Sequence, residues 1–98
     1  MMVDRRVEFT TTSAELAAAL ICCEVRFIRM DEEENWRHHG QIRSVFVFER
    51  ERAMELSEDY HKDTLELPAK SYSSQIRECR RQIAETIKAR QDREKQNV

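Results

Sequence analysis

The sequence predicts an α+β domain with elements in the order β-α-β-β-α-α, an antiparallel hairpin sheet packed on helices. Three observations carry this. Two segments, 24–30 and 42–49, are dense in Val, Ile and Phe, as strands are. The segment Ala14–Cys23 is apolar on nearly every side, which suits a helix buried by its neighbours. Ala69, Tyr72, Ile76, Cys79, Ile83 and Ile87 recur at steps of three and four, the spacing of a long amphipathic helix.

Each element follows in turn. Val7–Thr11 alternates and reads as a short strand. Thr12 is placed to cap the next helix, with Glu15 three residues on completing a capping box. The Ala-rich helix 14–23 forms the centre of the core. Strands 24–30 and 42–49 form a hairpin with a long polar connection, Asp31–Gln41, which holds the single Gly, Gly40. In the second strand Val45 and Val47 face one way and Phe46 and Phe48 the other, so both faces need cover, from helices or from a second copy of the chain. Residues 50–62 read as a charged helix with Ala53, Leu56 and Tyr60 on its apolar edge and Met54 beside them. Leu65-Glu66-Leu67 is extended, and Pro68 opens the last helix. Residues 1–90 then make one domain. Residues 91–98 lack an apolar residue before Val98 and are expected to be a frayed, charged tail.

This order resembles a family of short uncharacterised bacterial and phage domains of unknown function. Phe9-Thr10-Thr11-Thr12, Leu16-Ala17-Ala18-Ala19-Leu20, Val45-Phe46-Val47-Phe48-Glu49 and Leu67-Pro68-Ala69 carry the resemblance, over roughly Phe9–Ala89. The chain departs from the family pattern at Ser13, where an acid is usual, and near Cys23 and Glu24, where a Gly is usual. Its Asp31–Gln41 connection is also longer. The resemblance implies a fold and a mobile-element or bacterial context. It brings no catalytic residue.

Composition narrows the function. The chain has 98 residues, 37% of them charged, so most charges must sit on solvated faces. A net charge of −2 lacks the basic balance of a sequence-independent DNA binder. The N-terminus has no apolar run of signal-peptide length, and the uncharged stretch after Phe9 is broken by Glu15 before it reaches membrane-spanning length. With three cysteines, an odd number, this predicts reduced thiols and a cytoplasmic protein without membrane contact.

No chemistry stands out. Cys22-Cys23 and His38-His39 are doublets without metal-ligand spacing, so no metal site is predicted. Cys22 and Cys23 fall at a helix C-terminus, where the dipole opposes a thiolate, and Cys79 lies on the apolar stripe. One Gly cannot build a phosphate-cradling loop, and no nucleophile motif occurs. No cofactor or enzymatic activity is predicted. Two binding readings remain. In the first, a protein partner or a second copy is bound by the hairpin tip, Asp31 to His39, with Trp36 as the anchor and Glu33, Glu34, Arg37, His38 and His39 around it. The protein is then a small interaction module, an accessory or inhibitory subunit of a larger complex. In the second, nucleic acid is bound by Arg26, Arg29 and Arg43 of the hairpin with Arg77, Arg80, Arg81 and Lys88 of the last helix. The acids Asp31–Glu34 on the same hairpin oppose it.

Overall fold

In the computed structural model, which describes residues 8–34 and 42–96, the elements are β1 (Glu8–Thr11), α1 (Ala14–Cys22), β2 (Phe27–Glu34), β3 (Ile42–Glu49), α2 (Arg50–His61) and α3 (Ala69–Gln96). The strands form one antiparallel sheet in the order β1-β3-β2. The fold is α+β in the predicted order.

β3 is central because it alone is apolar on both faces. Val45, Phe46, Val47 and Phe48 are all buried. Phe46 and Phe48 join a core with Leu16, Ala17, Ala18 and Leu20 of α1, Ala53 of α2 and Cys79 of α3. Ala17 and Ala18 have no solvent exposure, and their short side chains let α1 sit close to its neighbours. The Ile76, Cys79 and Ile83 stripe of α3 closes this side.

Two helix ends are built alike. After α1, Glu24 takes the left-handed conformation (φ 61°), its N–H donates to the Ile21 carbonyl, and the Val25 N–H donates to that of Leu20. After α2, Asp63 (φ 60°) donates to Tyr60, and Thr64 donates to Asp59. Both are Schellman motifs. In each a carboxylate-bearing residue occupies the position that glycine takes most easily, and Val25 completes the first by packing into the core beside Leu20.

The boundaries differ from the sequence reading at three places. Ser13, and not Thr12, caps α1: its Oγ accepts the Leu16 N–H at 3.1 Å, while Thr11 Oγ1 accepts the Ser13 N–H at 3.1 Å. β2 begins later and runs further than predicted, because Glu24 is spent on the α1 terminus. The acids Asp31–Glu34 then pair with Val45, Ser44, Arg43 and Ile42 in register. They form an edge strand, and charges suit an edge. α3 continues to Gln96 through the segment read as frayed. Arg, Glu, Lys and Gln are good helix formers, and Arg93 meets Glu32 of β2 at 3.3 Å. Finally, Val45 and Val47 on the other face of β3 are buried but stand outside the core formed with the helices.

Candidate functional site

β2 lies at the edge of the sheet, so one side of its backbone has no strand partner among the described residues. A register shift between Phe27 and Arg29 leaves Ile28 as the extra residue of a bulge. Ile28 is 39% exposed and Phe27 38%, although the Phe27 ring also packs edge-on to Phe48 with centroids 5.5 Å apart. The charges along this strand are segregated. Arg26 and Arg29 precede Met30, and Asp31, Glu32, Glu33 and Glu34 follow it.

Arg29 organises the face away from the helices. Its guanidinium donates to both oxygens of Glu8, at 2.5 and 3.1 Å, and Nε donates to Asp31 at 3.0 Å. Glu8 is on β1 and Arg29 on β2, with β3 between them. The two side chains together therefore bridge two strand spacings, about 9–10 Å. Val47 is the residue of β3 in register with Arg29, so it lies under this crossing, and it is fully buried. Glu33 and Arg43 form a second pair on this face at 3.1 Å. The carboxylates beside Arg29 hold its guanidinium more firmly protonated than usual.

These contacts bear on the predicted residues. Glu33 is on β2 and paired with Arg43. The backbone of Glu34 pairs with Ile42. Trp36, Arg37, His38 and His39 lie outside the described residues. Of the arginine set, Arg29 and Arg43 meet acids on the sheet, Arg80 meets Glu15 at 2.6 Å, and Arg81 is clamped between Glu78 and Glu85 on α3. Arg26, Arg77 and Lys88 are exposed, Arg26 before β2 and the other two on α3. Four of the seven are thus paired with carboxylates within the chain.

The sequence reading missed a cleft. An open groove of about 630 Å³ lies between the end of α2, the 62–68 connection and the start of α3, lined by Tyr60, His61, Asp63, Leu65, Leu67 and Tyr72. The Tyr72 hydroxyl donates to the Glu15 carbonyl at 3.2 Å. Burial, and then a hydrogen bond with Tyr60, pushes the Tyr72 phenol up to about 12, so it stays neutral and tied to the backbone. Cys22 and Cys79 are equally quiet. Burial raises Cys22, and burial followed by Glu78 and Cys22 pushes Cys79 up to about 11, away from the thiolate a nucleophile needs. Among the described residues no three His, Cys, Asp or Glu side chains are grouped to hold a metal ion. No helix among them is long and apolar enough to cross a membrane.

Residues 6–85 match the family model described as "Domain of unknown function (DUF5659)". The chain belongs to that family. Its match spans β1, the Ala-rich helix, the hairpin, α2 and most of α3, so the packing residues just described are the family's domain. No curated protein and no solved structure matches the chain.

Proposed function

We propose that this member of the family is a non-catalytic interaction module that binds a protein partner along the open edge of β2, as an accessory or inhibitory subunit of a larger complex in a reducing, cytoplasmic setting. The observation that carries the reading is that edge: an eight-residue strand, one side of whose backbone has no strand partner among the described residues, with Phe27 and Ile28 exposed within it. Strand addition uses such an edge, with main-chain hydrogen bonds supplying affinity and the alternate side chains specificity. The buried, neutral Cys79 thiol and the backbone-tied Tyr72 support a binding role over a catalytic one. The internal pairing of Arg29, Arg43, Arg80 and Arg81 weighs against the nucleic-acid reading, because each guanidinium must leave a carboxylate before it meets a phosphate.

The test is affinity capture from nuclease-treated host extract with the full chain and with Ile28→Asp. A protein held by the natural chain and lost with Ile28→Asp supports the reading. Equal capture by both, or no protein held, overturns it. Capture of nucleic acid from untreated extract, falling steeply with salt, supports the arginine set instead.

A further inference from the structure

We infer that the partner strand is a second copy of this chain, paired antiparallel through β2 about a two-fold axis at Met30. The inference rests on reading β2 as the interaction edge, and it names the occupant. The charge order of the strand points to this occupant. Arg26 and Arg29 lie on one side of Met30 and Asp31–Glu34 on the other. A parallel copy sets like charges side by side. An antiparallel copy sets the basic half of each strand against the acidic half of the other, and opposite charges across strands attract while like charges repel. With Ile28 taken as the bulged residue, alignment about Met30 puts Arg29 opposite Asp31 of the second copy, and Arg26 opposite Glu33.

The other features of the edge agree with this geometry. Arg26 is exposed, and the Glu33 side chain is half-exposed, so both can be reached. The two copies of Met30 meet on the axis. Phe27 and Ile28, exposed in the single chain, lie beside the new strand in both copies. A two-fold contact uses the same patch twice and needs it to be self-complementary. A strand with its charges divided about its own midpoint meets that demand, whereas an unrelated partner must bring a matching division of its own. The product is a continuous six-stranded sheet with the helices of both copies on one side.

The experiment is sedimentation velocity on the full chain over a hundredfold range of concentration. The expected mass rises from 11.8 kDa towards twice that value, less steeply in high salt. Arg26→Glu and Glu33→Lys, each alone, set like charges across the axis at two places. Each should weaken the dimer roughly tenfold, while their equimolar mixture, complementary at both places, recovers it. Circular dichroism checks that both exposed-site variants are folded. A natural chain that stays monomeric overturns the inference. So does a dimer indifferent to both variants, or a mixture that stays monomeric. The interaction reading survives that failure if host-extract capture still retrieves a different protein in an Ile28-dependent way, and it falls with it if nothing is retrieved.

Discussion

Val47 gives the sharpest test of how the other face of the sheet is sealed. The residue is fully buried, yet it stands outside the core formed with the helices. Our account is that Arg29, stretched from β2 to Glu8 of β1, lays its aliphatic stem over it. Val47→Ala removes two carbons. At ~0.8 kcal/mol each that is about 1.6 kcal/mol, and the space left behind brings the cost to about 2–3 kcal/mol. Urea unfolding followed by far-UV circular dichroism reads this directly, at one fixed protomer concentration so that association does not intrude. In a thermal melt each kcal/mol moves the midpoint by about 4–8 °C in a domain of this size. The decisive step is a double-mutant cycle. In an Arg29→Ala background Val47 already touches water, so Val47→Ala should cost only a few tenths of a kcal/mol. A single-variant cost below about 0.5 kcal/mol, the range of ordinary surface positions, refutes the burial. An undiminished cost in the Arg29→Ala background refutes the cover.

Four further outcomes follow from the same contacts. Ser13→Ala should destabilise by about 1 kcal/mol in urea unfolding while Thr12→Ala is close to neutral, because only Ser13 Oγ accepts the Leu16 N–H. Glu24→Gly should stabilise by roughly 1 kcal/mol, since glycine meets the left-handed conformation at φ 61° without a Cβ penalty; a loss of stability contradicts the Schellman geometry at Leu20–Val25. The Glu15 carboxyl is held below its usual value of 4.5, first by a backbone hydrogen bond and then by Arg80. Its contribution is therefore complete above that value and lost as pH falls through the lowered one, so Glu15→Gln should flatten the acid limb of a stability–pH profile and leave pH 7–8 unaltered in slope. Cys79, pushed up to about 11 and without solvent exposure, should react with a thiol reagent at pH 8 only as fast as the chain opens, far behind the partly exposed Cys23.

The order of elements was legible because burial writes itself into composition. The Phe46/Phe48 and Val45/Val47 alternation marked β3 as a strand with two covered faces, and the Ala-rich run marked α1 as the helix beneath it. Boundaries were less legible, because they turn on competition between similar groups. Thr12 and Ser13 are both good caps, and the choice falls to Ser13 because Thr11 Oγ1 fixes its N–H from behind. The acids after Met30 look like a loop by composition, yet pairing with Ile42–Val45 holds them extended. The run from Gln91 looks like a tail, yet a helix already nucleated by α3 adds good formers at little cost. Least legible was anything that depends on two edges of the sheet at once. Nothing in the spacing of Glu8, Arg29 and Val47 announces that β3 passes between the first two.

The same topology decides what the charges on β2 are free to do. Had β2 been central, Arg29 and Asp31 would have sat between two strands, and each carboxylate would have been committed within the chain. At the edge, Asp31 and Glu33 meet internal arginines on a strand that has no second strand neighbour among the described residues. A bulge and mixed charges ordinarily protect an edge from indiscriminate pairing. With the charges separated about Met30, that protection acts selectively. On the proposed pairing it repels a strand laid down in the parallel sense and admits one laid down antiparallel, so one arrangement of residues would serve both to keep the wrong neighbour off and to hold the right one.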